Sequence, residues 1–145
     1  MKLITVAVLA LAEIGMGQAT GERVTARQLL QAPKDYIGKT IVIPDIPCVD
    51  NPKGGFLCVT IVDGQALRIE ASSLGAKTKI EIAERLTQGC KGTANLTRSV
   101  CRVDAEIEPK NAYKDIMDTE NGSMPIAGIY SGAIEMYSPK RSSRR

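Results

Sequence analysis

The chain contains no histidine and no tryptophan, and its only aromatic residues are one phenylalanine and four tyrosines. Without histidine there is no imidazole to serve as general base near neutral pH or as zinc ligand. Ser–His and Cys–His nucleophile pairs are excluded with it. So few rings leave the core to aliphatic side chains, and any surface on which flat ligands stack has to be small. The composition favours a binding protein over an enzyme, with no cofactor expected.

A long apolar run is missing as well. Residues 3–12 are apolar apart from Thr5, too short for a bilayer, which takes about 20 such residues. With Lys2 before the run and the small residues Gly17 and Ala19 after it, residues 1–19 read as a secretory signal peptide. No cysteine follows closely enough for a lipid anchor. The expectation is an exported chain, periplasmic or secreted, beginning at Thr20 and without a transmembrane anchor.

The net charge of +3 belongs to the other end. Residues 138–145 carry Lys140, Arg141, Arg144 and Arg145, and removing those four from +3 leaves −1 for everything before them. Such a tail reads as disordered and basic, able to touch anionic surfaces without forming a groove. Residues 20–137 remain as one domain.

Four cysteines allow three pairings. Asn51-Pro52-Lys53-Gly54-Gly55 is a strong turn cluster between Cys48 and Cys58, so a hairpin with its tip near Lys53 brings those two together. Cys90 and Cys101 bracket a polar loop in the same way. Spacing thus favours disulfides Cys48–Cys58 and Cys90–Cys101. A four-cysteine metal site needs ligand pairs about two to four residues apart, which this spacing does not offer.

Hydrophobic patterning supplies the elements. Thr25-Ala26-Arg27-Gln28 is a capping box with Val24 and Leu29 as its staple, and Pro33 ends that short helix. Residues 41–48, 56–62 and 65–71 read as three strands, with Asp63-Gly64 a tight turn. Thr78-Lys79-Ile80-Glu81 is a second capping box, ahead of the stripe Ile82, Ala83 and Leu86, with Gly89 as a left-handed stop. Residues 100–108 and 126–137 complete five strands, with Gly128 and Gly132 as bends. Residues 109–125 read as a polar connection turning at Asn121-Gly122. Gly38-Lys39-Thr40 is no phosphate-binding loop, because Pro33 stands where its first glycine belongs and a strand follows.

Three strands, a helix and two strands, behind a short helix, make an all-β fold with one packed helix. This order resembles the OB-fold, a five-stranded barrel. Tyr36-Ile37-Gly38-Lys39-Thr40-Ile41-Val42 further resembles the opening strand of small exported bacterial OB-fold proteins. OB-folds include nucleic-acid binders, oligosaccharide binders and interaction modules. The signal segment, the barrel order and the absent catalytic groups together point to an interaction module of the cell envelope with a protein or glycan partner. Single-stranded nucleic acid is the alternative partner. Arg68, Arg102 and Tyr130 are the candidate binding residues on the barrel face, since bases stack on aromatics within positive grooves. The other rings read as core or rim packing. Asp104, Glu106 and Glu108 alternate along one strand and read as its solvated face.

N-terminal sequencing of exported protein should give Thr20 as the first residue. Recovery of intact Met1 would contradict the signal reading.

Overall fold

The computed structural model describes residues 19–140. Five strands close a barrel: β2 (Ile41–Asp50), β3 (Phe56–Val62), β4 (Gln65–Leu74), β5 (Arg102–Thr119) and β6 (Gly122–Tyr137). They run β2-β3-β4-β6-β5, and pairing of β2 with β5 closes the ring. Within the ring only β4–β6 is parallel. Helix α2 (Ile80–Gly89) lies in the connection from β4 to β5. The fold is therefore the OB-like barrel expected. Its core is aliphatic, centred on Ile41, Ile43, Leu67, Ile69, Ile107 and Ile129. Ahead of it, a two-residue strand β1 (Glu22–Arg23) pairs parallel with β2 and leads into α1 (Ala26–Gln31). Among the described residues no helix is long and apolar enough to cross a membrane. The signal segment up to Gln18 and tail residues 141–145 lie outside the described residues.

Helix α1 starts where its capping box says it should. Thr25 Oγ1 accepts from the Gln28 N–H at 3.1 Å, and Gln28 Oε1 accepts from the Thr25 N–H at 2.9 Å. Val24 and Leu29 are both buried. Helix α2 begins differently. Lys79 is its N-cap and no side chain caps it. Thr78 Oγ1 instead accepts from the Met136 N–H of β6 at 3.0 Å and reaches Glu135 Oε2 at 3.3 Å. The buried strand amide outcompetes the helix end, whose own N–H groups can face water. Gly89 is not left-handed either. The helix stops at Cys90 (φ −122°), where Arg98 Nη1 donates to the Gly89 carbonyl at 2.6 Å. Ile82 and Leu86 are buried as expected.

Both expected disulfides are present. Cys48 and Cys58 are direct partners across β2–β3. The turn between them closes with Asn51 N–H to the Gly55 carbonyl at 2.9 Å. Gly55 has φ +73°, and a Cβ there would strike the Ala71 carbonyl, so only glycine fits. Asp63 and Gly64 (φ +52° and +74°) form the tight β3–β4 turn.

The polar connection expected at residues 109–125 is strand instead. β5 runs on to Thr119, which pairs with Gly122, so β5 and β6 form one long hairpin around Glu120 and Asn121. Most of its outer half is exposed; paired backbone makes it a strand where no apolar alternation announces one. Gly132 falls within a register irregularity of that hairpin, but Gly128 sits in regular pairing.

Asp104 and Glu106 overturn a second expectation. They are 3% and 5% exposed; of the acidic row only Glu108 meets solvent. β2 bulges between Ile43 and Ile46, with Asp45 at φ +50°. Asp104 Oδ1 accepts from the Asp45 N–H at 2.9 Å, and Oδ2 accepts from the Lys140 N–H at 3.2 Å and from Arg23 Nη2 at 3.4 Å. Glu106 Oε2 accepts from the N–H groups of Thr20 and Gly21 at 3.0 and 2.8 Å. Segments from both ends of the barrel cover this face of β5, and the two carboxylates satisfy their backbone.

Two substitutions should separate packing from strapping in urea denaturation. Leu86→Ala should destabilise by about 2–5 kcal/mol through the cavity it leaves. Thr78→Val should remove about 1–3 kcal/mol, because the buried Met136 amide loses its acceptor. An undisturbed midpoint in Thr78→Val would show that the strap is idle.

Candidate functional site

Side chains alternate along β4: Leu67 and Ile69 enter the core, while Arg68, Glu70 and Ser72 point outward. Pairing then builds a polar face. Arg68 stands between Val59 of β3 and Gly128 of β6, and Glu70 stands beside Tyr130. Across β5–β6, Tyr113 is opposite Gly128. A Cβ at Gly128 would run into the Tyr113 ring. The absent side chain is thus what lets that ring lie flat on the strand.

The polar groups pair among themselves. Arg68 Nη2 lies 3.2 Å from Glu70 Oε1, and the Tyr113 hydroxyl donates to Glu70 Oε2 at 2.8 Å. Beside them the hydroxyls of Ser72 and Tyr130 share a 2.7 Å hydrogen bond. Arg68 Nε is buried without a hydrogen-bond partner among the described residues. Burial first, and then the hydrogen bond to Glu70, push the Tyr113 hydroxyl up to about 12. Burial, then the charges of Glu106 and Glu135, push Tyr137 up to about 12 on the other side of the barrel.

A groove of about 410 Å³ runs along the edge of this face, lined by Asn51, Phe56, Glu70, Ser72 and Tyr130 among others. Tyr130 is 41% exposed and presents its ring there. Aromatic surface, a carboxylate, a hydroxyl and an amide in one groove suit a small polar ligand with an apolar face. A second cavity, about 480 Å³ and mostly apolar, lies between the turn at Pro33, Lys34 and Asp35 and β5 at Ala112, Tyr113 and Lys114. Among the described residues no cluster of three or more acids and cysteines is placed to hold a metal ion. All four thiols are in disulfides.

Of the residues singled out in the sequence, Arg68 and Tyr130 share this face. Arg102 does not. It sits on the β2–β5 seam opposite Pro47, where Nε donates to Asp45 Oδ1 at 2.8 Å and Nη2 to the Asp45 carbonyl at 2.6 Å. Its role is to hold the bulge. Glu70 and Tyr113, which complete the polar cluster, were not singled out. Tyr113 falls in the stretch read as connection, and only a hairpin centred near Asn121 would have placed it opposite Gly128.

No protein-family description matches the chain, and no curated protein is detectably similar to it. Among solved structures, one from Leishmania major Friedlin described as an aspartyl-tRNA synthetase superposes with a TM-score of 0.44 at 11% identity. The match takes in 85% of this chain and 22% of that one. A likeness that weak carries no functional argument.

Spectrophotometric titration should show two of the four tyrosines ionising only near pH 12. Glu70→Gln should lower the Tyr113 value and leave Tyr137 unmoved. Because the folded state holds these protons above the ordinary value of about 10, their contribution to stability is complete below about pH 10. It is lost as pH rises through 12. Stability that stays level across that window would contradict the assignment.

Proposed function

We propose that this protein is an exported, non-catalytic binding module of the bacterial cell envelope that takes a protein or glycan partner on the β4–β6 face. The observation carrying this reading is the self-neutralised cluster of Arg68, Glu70 and Tyr113 beside the exposed ring of Tyr130. A cation already paired with a carboxylate offers little to a phosphate backbone. A polar groove with one exposed ring suits a sugar ring or a peptide side chain, with stacking on Tyr130, the Glu70 carboxylate as acceptor and hydrogen bonds with Ser72 and Asn51. β4 and the turn at residues 51–55 correspond to the third strand and first loop of the surface that OB-folds use for oligosaccharides and oligonucleotides, and the face continues from there onto β6 and β5.

Export is supported by the signal pattern in residues 1–19, by the opening-strand resemblance and by two disulfides, which persist in oxidising compartments. The lack of histidine supports a role without catalysis. The alternative, single-stranded nucleic acid, draws on the barrel topology and the four positive charges of residues 138–145.

Binding of the full chain, of a form lacking residues 138–145, and of Tyr130→Ala should be measured at two salt concentrations. The ligands are envelope extract, peptidoglycan fragments and single-stranded DNA. Salt-tolerant binding to an envelope protein or glycan that survives tail removal and falls at least about tenfold in Tyr130→Ala supports the proposal. DNA binding that needs the tail and collapses with salt would overturn it.

A further inference from the structure

We infer that hydrolysis of the Ala19–Thr20 peptide bond is a maturation step that sets the new α-ammonium group of Thr20 in an ion pair with the buried carboxylate of Glu106. The cut rests on the export reading above; the ion pair does not, because purified protein can be prepared with either amino terminus.

The geometry is already in place. The Thr20 nitrogen lies 3.0 Å from Glu106 Oε2, and the Gly21 nitrogen donates to the same oxygen at 2.8 Å. The other carboxylate oxygen meets the Tyr137 hydroxyl at 3.5 Å. A Cβ at Gly21 would lie 3.2 Å from Glu106 Oε2 and 3.1 Å from the Thr40 carbonyl, so the chain approaches as closely as glycine permits.

Charge is what this pocket lacks. Asp104, next along the same face, has Arg23 at 3.4 Å, whereas among the described residues no lysine or arginine forms a salt bridge with Glu106. Among the described residues, then, Asp104 has a side-chain cation and Glu106 has none. A buried charge without a counter-ion is destabilising, and hydrogen bonds from neutral amides offset only part of that. Hydrolysis changes the donor. One water is consumed, the C–N bond breaks, Ala19 departs with a carboxylate, and the Thr20 nitrogen takes up protons to become an ammonium. A signal peptidase of the exporting cell supplies the catalysis. The bond concerned is the one that follows the small residues Gly17 and Ala19. The nitrogen that the sequence pattern exposes is thus one of the two that the buried acid already holds.

Among the described residues, the charged and titratable groups around the new terminus are Glu22 and Arg23 from β1, Asp104 and Glu106 from β5, Glu135 and Tyr137 from β6, and Lys140 beyond it. Two carboxylates on β5 outweigh Arg23, so the ammonium is favoured and its pKa should rise above the free-terminus range of about 7.7–8.0. A raised value means that the advantage is complete below that range and fades as pH rises through the folded pKa.

The test compares chains that run to Arg145 and begin at Thr20 or at Gln18, each with and without Glu106→Gln. At pH 6.5 the Thr20 form should melt about 3 °C or more above the Gln18 form, and Glu106→Gln should abolish the difference. NMR titration of the Thr20 amine in the unsubstituted protein gives a second readout that needs no variant to fold. Equal melting points, a difference that survives Glu106→Gln, or an amine titrating at or below about 8 would overturn the ion pair. Exported protein still carrying residues 1–19 would overturn the maturation step instead, so the two failures are distinguishable.

Discussion

The pair of buried acids on β5 is the constraint on which the rest of this barrel depends. A five-stranded ring has one seam where its last pairing must form, here between β2 and β5. That seam is interrupted by the bulge at Pro44 and Asp45, which leaves the Asp45 amide without a ladder partner. Asp104 takes the Asp45 amide and reaches past it to Lys140. Arg102, on the same strand, holds Asp45 through both its side chain and its carbonyl. Glu106 collects Thr20 and Gly21. One stretch of β5 thereby fixes the closing strand and the segments on either side of the barrel. Hydrogen bonds to charged acceptors are roughly twice as strong as neutral ones, which suits carboxylates to joining segments with so few other contacts.

Committing the β2–β5 side to closure leaves the opposite face free. Among the described residues the polar cluster on β4, β5 and β6 is bonded only within itself, and strand pairing sets its geometry. Gly128 makes room for the Tyr113 ring, and the ring carries its hydroxyl to Glu70. The turn at residues 51–55 stays beside this face because the Cys48–Cys58 bond ties the hairpin at its base. Helix α2 closes the remaining side, joined to β6 through Thr78. The architecture separates a structural seam from a presentable face.

Local chemistry made much of this legible in the sequence. The Thr25 capping box, the turns at residues 51–55 and 63–64, both disulfides and the order of elements follow from neighbours in the chain. The failures share a non-local cause. Asp104 and Glu106 alternate with Val103, Ala105 and Ile107, so period alone puts them in water; coverage from Thr20, Gly21, Arg23, Tyr137 and Lys140 buries them. Thr78 reads as a cap until β6 offers it a buried amide. Residues 110–118 carry no strong alternation, because their pairing with β6 continues beyond the core. The site suffered accordingly: Arg68 and Tyr130 were within reach of a strand-period argument, but Tyr113 required the hairpin register. Arg102 was misplaced because its target, the Asp45 bulge, leaves no signature of its own.

Amide hydrogen exchange in Asp104→Ala compared with the unsubstituted protein tests the role of the acid pair most directly. In the unsubstituted protein the amides of Asp45 and Lys140 should be slowed, and in Asp104→Ala both should exchange quickly together with the β2–β5 seam, while β3 and β4 stay protected. Unchanged protection at Asp45 and along the seam would contradict the account, because closure would then not depend on the buried carboxylate.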